Sequence, residues 1–207
     1  MLNFDYDAAV QRYQQAYDQA KACMAKEGIT AEAASPFTDS NGFAVTQEKA
    51  KQLGGITTLS DLKGKAQDLR ISGPPECQQR TDCLLGLEQT YGLKFKKFVS
   101  IDLAKRHEVI KNGQTDVGEV FTTDGQLQGK KYFVLKDPKN VFGFQNVAPV
   151  VSNKVAAAGG AAFAKIVNAV SAKLSVAAMR AMNKAVAIDK QSPAAVAGTF
   201  LKANGLK

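Results

Sequence analysis

Short strand-like runs alternate with helix-like runs along this chain, and that alternation restricts its fold more than any other feature. The runs at 43–46, 69–72 (LRIS), 95–101, 116–121 (containing VGEVF), 132–135 and 148–152 are rich in β-branched and aromatic residues. Between them lie helical stretches at 47–53, 83–91 and 104–112, the last two followed by Gly92 and Gly113. A first helix at 5–27 carries Tyr6, Val10, Tyr13, Tyr17, Ala20 and Met24 on one stripe, and Gly28 ends it. From residue 161 the chain is helical. Phe163, Ile166, Val167, Val170 and Leu174 form one face, Ser175 caps a helix through 186, and Ser192-Pro193 opens a last helix that Gly205 closes. Such alternation predicts an α/β fold with largely parallel sheets, with the helical tail packed on one of them. Ile71, Val99, Val117 and Val120 are its expected buried strand residues.

The 207 residues suffice for one large or two small domains, and 45% hydrophobic with 22% charged residues excludes an extensively disordered chain. No apolar run reaches the roughly 18 residues of a membrane-spanning helix. A net charge of +8 admits an anionic partner. The densest cluster, Lys94, Lys96 and Lys97, interleaves with Phe95 and Phe98 and reads as a solvated strand face. Without zinc-finger spacing or an aromatic RNA-binding signature, nucleic acid is not an expected partner.

Cys77 and Cys83 stand six apart in GPPECQQRTDC, and Cys23 stands alone on the first helix. This spacing is no metal pattern and the single histidine, His107, is distant, so no metal or other cofactor is expected. From spacing alone, a local disulfide and a pair of buried thiols remain open. The chain has no phosphate-binding glycine loop, no HExxH and no GxSxG. His107, in AKRHEVIKNG, reads as a surface histidine on a charged helix, so catalysis is not expected.

Five segments in order carry a family resemblance: ITTLSDLKG (56–64), GPPECQQRTDCLLGLEQTYGLKF (73–95), GQTDVGEVFTTDGQL (113–127), LKDPKNVFGFQNVAPVVS (135–152) and the tail AMRAMNKAV…AAVAGTFLKANGL. Together they resemble the substrate-binding components of glycine betaine/choline/carnitine-type osmoprotectant ABC importers. The resemblance implies a type II periplasmic-binding-protein fold, two α/β lobes with a ligand cleft between them, outside the cytoplasm and without enzymatic activity. Its expected partners are a small solute and a membrane permease. The expected lobes are 1–67 with 136–207, and 68–135. Family members open with further strand–helix units of the first lobe, and this sequence begins after them, so that lobe is expected to be incomplete. An incomplete sheet edge leads us to expect a homodimer. The alternative is a non-binding fragment that serves as an assembly or interaction module.

The resemblance also implies site residues. Asn41, Phe121 and Gln145 match cage positions that elsewhere enclose a quaternary ammonium by cation–π attraction, and only Phe121 keeps a ring. Arg80 matches a carboxylate-binding arginine and Asp39 a carboxylate at the pocket edge. Thr123 and Asp124 follow a strand, where open α/β sheets place ligand contacts. Export permits a Cys77–Cys83 disulfide, which leaves Cys23 free. Each site residue also has a plainer reading: Arg80 can pair with Glu76 or Asp82, and Asn41-Gly42 and Asp124-Gly125 can simply turn the chain.

Overall fold

The computed structural model describes residues 6–207, with side chains in the first helix from residue 12 onward. The expected helix start at Asp5 lies outside the described residues, as do the side chains of Tyr6 and Val10. In chain order the helices and strands are α1 (Tyr6–Lys26), β1 (Ile29–Ala31), β2 (Asn41–Thr46), α2 (Gln47–Gln52), β3 (Arg70–Gly73), α3 (Leu84–Gly86), β4 (Lys97–Ser100), α4 (Arg106–Lys111), β5 (Val117–Phe121), β6 (Tyr132–Val134), β7 (Val150–Ser152), α5 (Asn153–Ser171), α6 (Val176–Ala187) and α7 (Pro193–Ala203). Short 3-10 turns join several of them. No single helix among the described residues is long and apolar enough to cross a membrane.

The chain forms two compact units, Met1–Phe37 with Asn146–Ser175 and Phe200–Lys207, and Thr38–Gln145 with Val176–Thr199. These bounds differ from the expected 1–67 with 136–207, and 68–135. The reason is β2, which is hydrogen-bonded inside the same sheet as β5, so residues 38–67 cannot be separated from the strands that follow. Helix α6 also belongs with this sheet, through bonds to the 122–123 loop.

The second unit holds a five-stranded sheet in the order β4-β3-β5-β2-β6. Strands β4, β3 and β5 are parallel, as the alternation predicts, and β2 runs antiparallel to both β5 and β6. Period-two alternation sends Phe43 and Val45 of β2 to one face and Ala44 to the other. On the first face Phe43, Val45, Ile71 and Val117 pack with Leu59, Leu62, Leu87 and Leu93. On the second, Ala44 and Val120 pack with Val109, Ile110, Leu127 and Tyr132. Each enclosed Val, Leu, Ile or Phe side chain among these contributes about 1.5–3 kcal/mol of hydrophobic stabilisation. Gly118 sits where Ile110 crosses β5, and a Cβ there would lie 2.5 Å from Ile110 Cδ1. Val99 is only half-buried, against expectation, because β4 is an edge strand. That edge is also where Lys96 and Lys97 stay solvated while Phe95 and Phe98 pack inward, which discourages edge-to-edge pairing.

The first unit has a two-stranded antiparallel sheet, β1 with β7, flanked by α1 and α5. Strand β1 is too short to have shown in the sequence pattern. Helix α5 starts at Asn153, capped by Ser152, rather than at 161. Gly160, at φ 58°, kinks it, and this is where the sequence suggested a start.

Candidate functional site

The carboxyl ends of β3, β4 and β5 meet at one edge of the five-stranded sheet, and because β2 is antiparallel its first residue joins them, Asn41 pairing with Phe121. After Gly73 the chain turns through Pro74 and a 3-10 turn at Pro75–Gln79, and a disulfide joins Cys77 to Cys83. Cys23 is free and exposed. Arg80 and Asp82 stand on this closed loop. Arg80 donates from Nε to Asp82 Oδ1 at 2.9 Å and from Nη2 to Oδ2 at 2.6 Å. That is the plainer surface pairing, and it leaves the Nη1 hydrogens outside it. The Arg80 hydrogen bonds and charge outweigh burial and hold the Asp82 carboxyl below its ordinary range.

The seven expected site residues fall into three hydrogen-bonded groups: Arg80 and Asn41 on Asp82, Phe121 on Asp124, and Thr123 and Gln145 with Asp39. Asn41 is buried and donates weakly to Asp82, at 3.3 Å to its carbonyl and 3.4 Å to its carboxylate. Phe121 is half-buried, with the Arg106 guanidinium carbon 4.9 Å from its ring centroid. Thr123 is buried and donates to Asp39 Oδ1 at 2.6 Å. The Asp39 N–H donates to the Gln145 carbonyl at 3.0 Å, and the Gln145 side chain donates to the Phe142 carbonyl.

Asp124 is the hub. Its carboxylate accepts from Arg106 Nε at 2.8 Å and also from Arg106 Nη2, from the Phe121 N–H at 3.0 Å, and lies 2.8 Å from His107 Nε2. Burial alone would raise this carboxyl, but the Arg106 and His107 bonds, the Arg106 charge and the Phe121 N–H hold it well below the carboxylate range. His107 is therefore not the expected surface histidine. It is buried between Asp124 and Tyr132, whose hydroxyl donates to the His107 carbonyl. From α6, Arg180 Nε donates to the Thr122 carbonyl at 2.7 Å and Asn183 to the Thr123 carbonyl at 2.9 Å.

A cavity of about 190 Å³ opens beside Asn41 and Thr122, lined further by Asp137, Asn140 and Phe142. Beneath the disulfide-closed loop lies Glu119, 1% exposed, its Oε2 without a hydrogen-bond partner. Burial pushes its carboxyl up to about 7, with Arg80 pulling the other way.

Four participants, Arg106, His107, Arg180 and Asn183, were not expected. Arg180 and Asn183 stand three apart on one helix face in AMRAMNKAV, a segment with a legible helical period. Arg106 and His107 reach Asp124 across 17–18 residues, and no local pattern announces that.

Residues 1–203 match the family described as the substrate binding domain of ABC-type glycine betaine transport system. A glycine-betaine-binding protein of Pseudomonas aeruginosa is 32% identical over 201 residues, covering 92% of this chain and 64% of that protein. The carnitine transport binding protein OpuCC of Listeria monocytogenes is 25% identical, covering 99% of this chain and 72% of its own length. Among solved structures, a glycine betaine/carnitine/choline ABC transporter protein superposes with TM-score 0.75 at 26% identity, over 86% of this chain and 65% of that one. YehZ of Escherichia coli superposes with TM-score 0.72 over 99% of this chain and 76% of its own; at 22% identity it supports the fold alone. This chain thus spans just under two thirds of the length of the Pseudomonas relative and of the first of these structures. The fold is of the type II periplasmic-binding-protein kind, and the chain belongs to the family of substrate-binding domains of ABC-type glycine betaine transport systems.

Proposed function

We propose that this chain recognises a small zwitterionic or quaternary-ammonium solute, of the glycine betaine, choline or carnitine kind, for an ABC importer. It works outside the cytoplasm, hands the solute to a membrane permease and catalyses no reaction. The observation that supports the reading is that Asp39, Asn41, Arg80, Phe121, Thr123, Asp124 and Gln145 fall in three hydrogen-bonded groups at and beside the strand ends where α/β sheets take ligands. Within them, Arg80 offers its outer N–H groups to a solute carboxylate and Phe121 offers ring surface to the apolar or cationic end. Asp124 is a positioning residue, because its carboxylate is engaged by Arg106, His107 and the strand end.

Calorimetric titration with glycine betaine, choline and carnitine tests this. Binding of at least one is expected, and Arg80→Ala weakens it by about 1.5–3 kcal/mol, roughly 10- to 150-fold. Arg80→Lys rescues only part, since an ammonium cannot form the planar fork. Absence of binding by all three solutes overturns the reading. It leaves the second one, an assembly or interaction module, which the exposed Val147, Val150, Val155 and Ile166 of the first unit favour. The same exposed residues support a homodimer, expected in sedimentation at tens of micromolar and refuted there by a stable monomer.

A further inference from the structure

Three potential metal donors converge beneath the site loop. Cys77 Sγ, Cys83 Sγ and a Glu119 carboxylate oxygen all lie within 4.8 Å of one another, and all three residues are buried. Gly73 makes the space in which they meet, since a Cβ there would stand 2.9 Å from both Cys77 Sγ and Glu119 Oε2. Glu119 Oε2 has no hydrogen-bond partner. A buried carboxyl oxygen left unpaired is costly, and the oxidised sulfurs, bonded to each other, give it nothing in return. Reduction changes the chemistry of the cluster. A dithiol reductant supplies two electrons and two protons, the S–S bond breaks into two thiols, and the reductant closes to its own disulfide. Two thiols and a carboxyl then face one another. Ionised, they are three anionic donors that a divalent cation can neutralise in part. Zinc–sulfur bonds of about 2.3 Å and zinc–oxygen bonds of about 2.0–2.2 Å in tetrahedral geometry require donor separations of roughly 3.5–3.8 Å; the sulfurs, 2.10 Å apart in the disulfide, move apart on reduction to reach this, while the carboxylate already lies within 4.8 Å of both.

We propose that, once the Cys77–Cys83 bond is reduced, Cys77, Cys83 and Glu119 hold a thiophilic divalent cation of the zinc class, which closes the loop that the disulfide otherwise closes. The cation displaces the two thiol protons, and the carboxyl proton where present, to solvent. Water completes the fourth position. Disulfide and metal are then mutually exclusive clamps on the segment that presents Arg80 and Asp82. The proposal does not depend on the solute reading, because it is tested without any solute.

The test uses the full chain with Cys23→Ser throughout, which removes the exposed free thiol, and Co²⁺ as the probe. A water-soluble phosphine is the reductant; it takes oxygen from water to become its oxide and does not compete as a dithiol chelator. The reduced protein is expected to bind one Co²⁺ with a thiolate-to-cobalt charge-transfer absorption, displaced by Zn²⁺. The oxidised protein and the Cys77→Ser/Cys83→Ser variant show no such band. Glu119→Gln binds at least about tenfold more weakly. A reduced protein that shows no charge-transfer band, or Glu119→Gln that binds as tightly as its parent, overturns the proposal. Circular dichroism covers folding: a reduced chain that unfolds and regains structure on adding Co²⁺ supports the site, and one that stays unfolded with Co²⁺ overturns it.

Discussion

The two compact units are held together by different means. The unit built on the five-stranded sheet buries apolar side chains on both faces, with Phe43, Leu59, Ile71, Leu87 and Val117 fully enclosed. In the other unit the only buried residues among those described are Ala31, Glu32, Ser35, Phe37 and Ser171. What secures α1 and α5 to β1 is largely polar. Tyr17 donates to the Glu32 carbonyl, Asn168 donates to Glu32 Oε2 at 3.1 Å, and the Ala33 N–H donates to Asn168 at 2.9 Å. Hydrogen bonds of this kind contribute about 1 kcal/mol each, against about 1.5–3 for an enclosed aliphatic or aromatic side chain. Amphipathic helices are therefore poor evidence for a core: α5 carries a clear apolar stripe, yet its Ile166 is 65% exposed.

The contrast predicts its largest effect from matched truncations. Phe43→Ala removes a fully enclosed ring and is expected to cost about 3–5 kcal/mol in denaturant unfolding. Ile166→Ala is expected to stay within about 0.5 kcal/mol. Equal costs would mean that Ile166 is covered in solution, and that the thin unit gains its core from a partner surface.

The same contrast explains what was legible in the sequence. Short apolar strand runs bounded by turn residues, such as LRIS and VGEVF, and the capped helix after Ser192-Pro193 could be read because each carries its own local signal. Strand β1 has only three residues, too few for a period. The antiparallel entry of β2 depends on long-range pairing with β5, and it displaced the unit boundaries to 37/38 and 145/146; Pro36 and Gly143 stand near these joints, but turn residues recur all along the chain and do not single them out. At the site edge, Arg80 and its Asp82 partner are two residues apart and were foreseeable. Arg106 and His107 closing on Asp124 were not, because the fold rather than the sequence makes them neighbours.

Titration should follow the sheet unit. The Glu119 carboxyl is raised from 4.5 to about 7, chiefly by burial. Below about 4.5 both folded and unfolded chains carry its proton, and its contribution is complete. Between about 4.5 and 7 the unfolded chain ionises first, so stability falls as pH rises, by up to ~3 kcal/mol. Asp124 acts in the opposite sense. Held low by Arg106 and His107, it contributes above its ordinary range near 4 and loses that contribution on acidification. The joint contribution of these two groups is therefore expected to be greatest at about pH 4–5. Glu119→Gln should flatten the decline between pH 5 and 7, read from urea midpoints across that range. A decline that persists unchanged in the variant would assign it to another group.

The last comparison separates two arginine pairs on the same sheet edge. Arg106 and Asp124 have side chains 17% and 8% exposed, whereas Arg80 and Asp82 are 43% and 30% exposed. Removing Arg106 leaves a buried carboxylate short of its main partner, a loss of the kind that costs about 3–5 kcal/mol. Removing Arg80 breaks a pair that water and salt already screen, and Arg80→Ala should cost at most about 1 kcal/mol in solute-free unfolding. The loop has other ties in any case: the disulfide, the Arg80 N–H to the Cys77 carbonyl and the Cys83 N–H to the Arg80 carbonyl all survive the substitution. A small stability change beside a large loss of solute affinity would place Arg80 in recognition. A stability loss above about 2 kcal/mol would instead make the Arg80–Asp82 fork a clamp on the loop, because an exposed pair alone contributes no more than about 1 kcal/mol.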